Sequence, residues 1–386
     1  MSATVNPARP GRHVLVVRLD SLGDMIICGP AVRAVAASAD RVSVLAGPGG
    51  AAAAALLPGV DDVVVWNCPW ISPPGTSFGA DPSAAADPPS TVIAGAIADA
   101  VAAVAALDVD EALILTSFHQ SALPTALTLR LAGVSRIAAI STDYPGRLLD
   151  VRVPEPPDAP EPVRMLAVAE AAGYARRPGD DGALALRADL IDRAEPVGLP
   201  DGPFVIVHPG VSAPARAYPV ESFAAVVAGL TENHRNVVVT GSADEVDLTA
   251  QVAAGVRSPG RAVDLGGALD LAALAATLRR AEAVVVANTG PAHVAAAVGT
   301  PVVSLFAPVV PAGRWAPFVD PRVVLGDQDA ACRDSRARSC PVPGHPCLSG
   351  VTAAEVVAAV DRLCGRPDVR STGSRPVGAL GAVVRS

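Results

Sequence analysis

Residues 283–315, AVVVANTGPAHVAAAVGTPVVSLFAPVVPAGRW, are the most informative stretch of this chain. They carry no charged side chain before position 314, but glycines and prolines cut them into pieces too short to cross a membrane. The β-branched run 283–287 predicts a strand that is buried on both faces. A turn at 288–291 leads into a short helix, 292–298, and then into a second buried strand, 302–306. This order of elements is typical of a parallel α/β sheet.

The start of the predicted helix 292–298 is a candidate anion site. Backbone N–H groups in the first turn of a helix have no partner within the helix, and the helix dipole favours negative charge there. His293 lies in this first turn, where its ring could reach a bound phosphate or sugar. A lone histidine on an apolar helix is usually a core or capping residue, so both interpretations stay open here.

Length and composition limit the classes of protein to consider. A chain of 386 residues can form two domains, and 51% hydrophobic with 18% charged residues is a globular composition. The net charge of -8 argues against a nucleic-acid surface. All basic residues are arginine, so a cation that binds phosphate here must be arginine.

No targeting segment is evident at the start of the chain. Residues 1–12 are polar, and the apolar run 13–19 is interrupted by Arg18 and is too short for a signal-peptide core. No uninterrupted apolar segment is long enough to span a bilayer. We therefore expect a cytoplasmic protein whose six cysteines are reduced.

Strands alternate with alanine-rich helices along most of the chain, in two halves around a linker near residue 190. This predicts two Rossmann-like domains at 11–185 and 200–350 that face a cleft. A helix at 351–364 and a disordered tail at 365–386 are expected to follow. Ligands of such sheets bind beyond the carboxyl ends of the strands, so the turns after strands should carry the chemistry.

The first such turn runs from Arg18 to Asp24 and lacks the three-glycine dinucleotide fingerprint, so NAD binding is not supported. Asp24 begins a predicted helix, 24–37, where its carboxylate could accept a proton from a hydroxyl group. Ser21 and Asp24 also have the spacing of a helix capping box, and the spacing alone favours that role.

Two further turns follow predicted strands in the second half. Ser212 and Arg216 lie on a loop after strand 204–208, where a hydroxyl and a guanidinium suit a pyrophosphate, although an ordinary surface loop is as good an interpretation. Glu245 follows strand 237–240 and could bind a ribose. It also has capping-box spacing to Ser242, which is the safer local interpretation.

Three cysteines and a histidine lie close together in a proline- and arginine-rich segment. They are Cys332, Cys340, His345 and Cys347. These residue types can bind zinc, but the spacing matches no common paired motif. Free thiols or a local disulfide are the favoured alternatives.

Taken together, these motifs resemble glycosyltransferase family 9, whose best-known members are the ADP-heptose:lipopolysaccharide heptosyltransferases. The resemblance covers about residues 13–364. It rests on VLVVRLDSLGDMIICGPAVRAV, IVHPGVSAPARAYPVESFAAVV, VVVTGSADE and VVVANTGPAHVAAAVGTPVVSLFAP, in that order. It implies the GT-B architecture of two facing Rossmann-like domains with parallel sheets and a central cleft. The N-terminal domain would be the acceptor side and the C-terminal domain the nucleotide-sugar donor side.

The resemblance also implies roles for single residues. Asp24 matches the catalytic base, and Glu245 matches the acid near the donor ribose. The turn residues Thr289, Gly290 and His293 match contacts to the donor phosphates and sugar.

Two positions depart from the family pattern. Arg216 stands where a lysine that contacts the donor phosphates is usual, which keeps the charge but changes its geometry. Asn288, also expected among the donor-binding residues, stands where many members have an acid that could hydrogen-bond the donor sugar, so the donor need not be ADP-heptose itself.

The expected activity is an inverting sugar transfer that needs no metal and no cofactor. The donor would be a nucleoside-diphosphate sugar similar to ADP-heptose, and the acceptor a glycan or lipid-linked hydroxyl of the cell envelope, reached by peripheral membrane contact. No nucleic acid is expected as a partner. Two alternatives stay open: an epimerase or hydrolase of sugar nucleotides with the same fold, and a non-catalytic nucleotide-sugar-binding protein.

Overall fold

The chain folds into two units, each built around one parallel six-stranded sheet. The computed structural model describes residues 11–71, 90–256 and 260–365. One unit comprises Met1–Arg193 with Gly313–Trp315, and the other comprises Ala194–Ala312 with Ala316–Ser386. The predicted disordered tail, from residue 366 onward, lies outside the described residues.

In the first unit, the sheet has the order β3-β2-β1-β4-β5-β6, and all neighbours are parallel. Its strands are β1 (His13–Arg18), β2 (Arg41–Ala46), β3 (Asp62–Val65), β4 (Glu111–Ile114), β5 (Arg136–Ile140) and β6 (Val151–Val153). Its helices are α1 (Leu22–Ile26), α2 (Gly29–Ala36), α3 (Ala51–Ala55), α4 (Ser90–Ala105), α5 (Leu123–Leu131), α6 (Glu161–Ala172) and α7 (Ala188–Arg193). The strand order reverses between β1 and β4, which is the switch point where such sheets bind ligands.

The second unit repeats this topology with the order β12-β11-β10-β7-β8-β9, again all parallel. Its strands are β7 (Phe204–His208), β8 (Asn236–Gly241), β9 (Ala262–Gly266), β10 (Ala283–Ala287), β11 (Val302–Leu305) and β12 (Arg322–Leu325). The helices of this part of the chain are α8 (Val220–Glu232), α9 (Val246–Ala253), α10 (Leu271–Arg280), α11 (Gly290–Ala297), α12 (Ala312–Trp315), α13 (Pro346–Ser349) and α14 (Ala353–Cys364). Here the switch point lies between β7 and β10.

The central strands are buried on both faces, as their unbroken apolar sequences predict. Every residue of β1 and of β10 is buried. Val14 to Val17 of β1 and Val284 to Val286 of β10 have no exposed surface. Each such valine stabilises the fold by roughly 1.5–3 kcal/mol relative to an exposed one. The prediction of parallel sheets with buried strands is therefore confirmed.

Some predicted boundaries are wrong. The single helix predicted at 24–37 is two helices, α1 and α2, because Pro30 lacks the N–H that a continuous helix needs and stands in the first turn of α2. Strands β6 and β12 were not predicted, since both are short edge strands without a long apolar run. Helix α7 occupies the segment that was predicted as linker.

Among the residues that the structure describes, no helix is both long enough and apolar enough to cross a membrane.

Candidate functional site

The first candidate site lies at the carboxyl end of β1, at the switch point of the first sheet. Arg18, the last residue of β1, is completely buried. Its Nη2 lies 2.9 Å from Asp24 Oδ1, and its Nε lies 2.9 Å from Asp20 Oδ2. Asp20 keeps 15% and Asp24 keeps 17% of its side-chain surface exposed. One core arginine therefore holds two carboxylates where solvent can reach them.

Residues that follow β4, the neighbour of β1, fix this arrangement. Arg18 donates from Nη2 to Ser117 Oγ over 2.7 Å and from Nη1 to the Leu115 carbonyl over 3.2 Å. Gln120 Nε2 donates to Asp20 Oδ1 over 2.6 Å. Burial alone would lower the pKa of Arg18, but the charges of Asp20 and Asp24 outweigh it and raise that pKa above its usual value. The guanidinium is therefore always charged.

Asp24 also forms the helix cap that its spacing to Ser21 predicts. The Ser21 backbone N–H donates to Asp24 Oδ2 over 3.1 Å, and the Ser21 hydroxyl donates to the same oxygen. The capping box of α1 is thus present. Because the cap uses Oδ2 and Arg18 pairs with Oδ1, the capping role and a chemical role are compatible in one side chain.

Sequence reasoning missed the importance of Arg18 and Gln120. The only available signal was a charged residue at the end of an otherwise apolar strand, since such a residue must find an opposite charge or be costly to bury. Gln120 gave no signal, because its contact with Asp20 depends on β1 and β4 being neighbours.

The second candidate site lies at the carboxyl ends of β7, β8 and β10. His208 ends β7, is buried, and has its Nδ1 3.0 Å from Thr240 Oγ1 on β8. Burial lowers the pKa of His208 to about 4, although the charge of Glu245 opposes this shift. The imidazole is therefore neutral near pH 7 and brings no positive charge to this edge of the sheet.

Glu245 caps the turn after β8 and packs against the loop after β7. Its carboxylate accepts the Ser242 N–H over 2.8 Å, so the predicted capping box is present here too. A methyl group on Gly210 would overlap this carboxylate. Glycine at 210 is therefore what allows the two loops to approach each other so closely.

Arg216 connects the loops after β7 and β10, the two strands that flank the switch point. It ends a 3₁₀ turn, Pro214–Arg216, and its Nη1 donates to the Asn288 carbonyl over 3.4 Å. Asn288 directly follows β10. Thr289 is the N-cap of α11, and Gly290 is its first residue. The structure therefore places the Arg216 guanidinium beside the turn that leads into α11, where the sequence predicts an anion site.

His293 and Ser212 complete the predicted set. His293 lies in the first turn of α11 and is 9% exposed. Ser212 is exposed on the same loop as Arg216, and its carbonyl accepts from Arg338 Nη2 over 3.1 Å. Ser212 is thus open to solvent, whereas His293 is largely buried.

Asn288 has a structural role that explains why this position is an amide. Its Nδ2 donates to the Ala307 carbonyl and its Oδ1 accepts the Ala307 N–H, each over 3.3 Å, and the side chain is buried. These two hydrogen bonds join the segments that follow β10 and β11. Such an exchange needs a donor and an acceptor on one side chain, which an ionised aspartate does not offer.

Substitution Asn288→Asp should therefore destabilise the protein by about 1–3 kcal/mol near pH 7, because a carboxylate would face the Ala307 carbonyl and leave it without its donor. Urea unfolding monitored by circular dichroism measures this change. The loss should shrink at low pH, where a protonated aspartic acid can donate again. Asn233→Asp, at an exposed position of the same unit, is the matched control. Equal stability of both variants at pH 7 would contradict the structural role.

The four residues considered for zinc are arranged differently from a metal site. Within the described residues, no group of three or more His, Cys, Asp or Glu side chains is placed to hold a metal ion. His345 Nε2 lies 3.0 Å from the Ala215 carbonyl, and Cys340 Sγ donates to the Val342 carbonyl over 3.3 Å. Burial, with the nearby Cys332 and Cys340, raises the pKa of Cys347 to about 12. All six cysteines are free thiols.

The segment that contains Arg338 and His345 instead forms hydrogen bonds to the loop that carries Ser212 and Arg216. The Ala215 N–H donates to the Arg338 carbonyl over 2.8 Å, while the His345 ring contacts the Ala215 carbonyl. The backbone of Ala215, the residue before Arg216, is therefore held by residues more than 120 positions later in the chain, which limits how far the guanidinium can move.

Comparison with known proteins gives a consistent result. The glycosyltransferase family 9 (heptosyltransferase) profile matches residues 145–345, just over half of the chain. The chain is 30% identical over 165 residues to lipopolysaccharide heptosyltransferase 3 of Escherichia coli, which covers 42% of this chain and 46% of that protein. The chain thus spans about half the length of the curated relative that it matches.

Two solved structures have the same fold over nearly their whole length. The glycosyl transferase family 9 protein of Veillonella parvula aligns with a TM-score of 0.72 at 16% identity, over 93% of this chain and 99% of that one. ADP-heptose lps heptosyltransferase II of E. coli aligns with a TM-score of 0.67 at 18% identity, over 91% and 98%. The predicted GT-B architecture, with two Rossmann-like units, is confirmed. The chain belongs to glycosyltransferase family 9.

Proposed function

We propose that this protein is a glycosyltransferase that moves heptose or a related sugar from a nucleoside-diphosphate donor to a hydroxyl group of a glycan acceptor. The transfer inverts the anomeric centre and needs no metal ion. The observation that carries this proposal is the position of Asp24: its carboxylate is partly exposed and paired with the buried Arg18 at a sheet switch point. The E. coli relative named for lipopolysaccharide supports an acceptor in the cell envelope.

The second unit, within which the predicted domain 200–350 lies for the most part, is the donor domain in this proposal. The diphosphate lies against Arg216 and the start of α11, where Thr289, Gly290 and His293 stand, with Ser212 beside it. A guanidinium binds phosphate oxygens bidentately, and backbone N–H groups at a helix start favour the same charge. Glu245 accepts hydrogen bonds from the donor ribose. ADP-heptose, the compound for which the E. coli structural relative is named, is the type of donor that we infer.

The first unit, which includes the predicted domain 11–185, holds the acceptor and supplies the base. The acceptor oxygen attacks the anomeric carbon while the bond from that carbon to the diphosphate breaks. Asp24 takes the proton of the attacking hydroxyl. Arg216 and the first-turn N–H groups stabilise the negative charge that grows on the leaving diphosphate, which is the task that a metal ion would otherwise perform.

A cytoplasmic reaction on a lipid-linked acceptor is compatible with this proposal and requires only peripheral membrane contact. An epimerase or hydrolase of sugar nucleotides, or a non-catalytic binding protein, is the alternative. The feature of the sequence that favours a non-catalytic protein is the uncharged Asn288, which stands where many members of the family have an acid. Since its amide pairs with Ala307, its presence has a structural reason and does not argue for an inactive protein.

The experiment that tests the donor is a thermal-shift panel of nucleoside diphosphates and their sugars. A ligand that binds only the folded protein raises the melting temperature. We expect ADP and ADP-heptose to give the largest shifts. Product analysis with and without a heptose-deficient lipopolysaccharide acceptor then separates transfer from epimerisation and hydrolysis. Binding of donor without turnover on any acceptor would overturn the transferase proposal.

A further inference from the structure

Arg18 holds a second carboxylate, Asp20, that the proposed reaction does not use. Asp20 lies on the turn after β1, four residues before Asp24, with its Oδ2 2.9 Å from Arg18 Nε. Its other oxygen accepts from Gln120 over 2.6 Å. Asp20 is therefore anchored from two sides.

We propose that Asp20 is a positioning residue that keeps Asp24 basic by sharing the Arg18 guanidinium with it. This inference rests on the proposed function, in which Asp24 is the base. An arginine that faces one carboxylate lowers the pKa of that carboxylate by about 1–3 units. A base with so low a pKa accepts a proton poorly. The negative charge of Asp20 offsets the charge of Arg18, so Asp24 retains more of its affinity for a proton.

The other titratable groups near Arg18 and Asp24 do not supply the negative charge that Asp20 supplies. The Cys28 thiol is neutral, because burial raises its pKa to about 12. Glu161 of α6 is completely buried, and burial raises its pKa. Its carboxylate lies 3.4 Å from Arg164 and 3.7 Å from Arg314, so other arginines already compensate its charge.

The titration of Asp20 itself is also perturbed. Burial raises the pKa of Asp20, the nearby Asp24 adds to this shift, and the Arg18 charge and the Gln120 hydrogen bond oppose it. Two carboxylates that interact through one guanidinium titrate as a pair. The pH at which kcat falls on the acid side of a pH–rate profile (the acid limb) should therefore depend on Asp20, even though Asp20 touches no substrate.

The test is the pH dependence of kcat for Asp20→Asn, which removes the charge and keeps the shape. With Asp20 neutral, Arg18 acts on Asp24 alone, so the acid limb should move down by about one pH unit. The plateau value of kcat should fall several-fold, while the KM for the donor stays unchanged, because the base becomes weaker and the donor domain is untouched. A variant that is merely misfolded would not shift the limb.

Asp62→Asn is the matched control, since Asp62 is paired with Arg41 over 2.7 Å at the start of β3, the opposite end of the sheet. It should leave the profile unchanged. Gln120→Leu is the second variant, because it removes a hydrogen bond to Asp20 without changing any charge. Loss of the Gln120 hydrogen bond destabilises the ionised form of Asp20, so Asp20 carries less negative charge. The acid limb should therefore move in the same direction as in Asp20→Asn, by a smaller amount.

An acid limb that stays in place or moves upward in Asp20→Asn, in an active and folded protein, overturns this inference. If Asp20→Asn does not fold, the inference is judged on Gln120→Leu: an acid limb that stays in place or moves upward in that variant overturns it. Absence of turnover in the wild-type protein with every donor and acceptor would overturn the proposed function instead, so the two failures are distinguishable.

Discussion

Substitution Asp24→Asn should lower kcat about 100- to 10,000-fold, because an amide cannot accept the proton of the attacking hydroxyl. The Kd for the donor should stay near the wild-type value, since no donor contact is assigned to the first unit. Asparagine keeps the shape of the side chain, and its oxygen can still accept from Arg18 at the position of Oδ1. Steady-state kinetics with saturating donor, together with calorimetric titration of the nucleoside diphosphate, measures both quantities.

The capping role of Asp24 must be separated from the chemical role. Loss of a good helix cap costs about 0.5–2 kcal/mol, which by itself leaves a folded enzyme fully active. Glu355→Gln is the matched control, because Glu355 caps α14 in the same way and accepts the Thr352 N–H over 2.8 Å. Asp24→Asn should lose more stability than the control, because it also removes a charge that pairs with the buried Arg18, but only Asp24→Asn should lose turnover. Equal turnover of the two variants would rule out Asp24 as the base.

The regular elements could be predicted well because their signals are local. Strand β10 has the predicted bounds to the residue, since an unbroken valine run between turn signals leaves little choice. The break between α1 and α2 was missed, although Gly29 and Pro30 mark it. Each of these outcomes depends on neighbours within one or two turns of chain.

The candidate site was predictable only in part, because its partners are distant in sequence. Arg18 meets Ser117 across 99 positions, and Asp20 meets Gln120 across 100. These contacts follow from the pairing of β1 with β4, which no local pattern specifies. Asn288 is a second case: the sequence showed an amide where an acid is usual, but the bond to Ala307 across β10 and β11 supplies the reason.

Substitution Arg216→Ala should raise the Kd for a nucleoside diphosphate about 10- to 100-fold, because charge-assisted hydrogen bonds of an arginine contribute about 1.5–3 kcal/mol. The loss should be larger at low ionic strength, where the attraction between the guanidinium and the diphosphate is screened less. Isothermal titration calorimetry at two salt concentrations measures the effect. Arg322→Ala, at the start of β12, is the control, since that residue stands at the opposite end of the sheet and donates to the Val319 carbonyl.

Arg216→Lys refines this prediction, because a lysine is usual in the family at this position. The ammonium keeps the charge but binds one phosphate oxygen at a time, so it should recover only part of the affinity. The Ala215 backbone would still be held by Arg338 and His345, so the loop should keep its path in both variants. A donor Kd that is the same in wild type, Arg216→Ala and Arg322→Ala would show that the diphosphate binds elsewhere. In that case the helix start at Gly290 would have to be tested as a diphosphate site without Arg216.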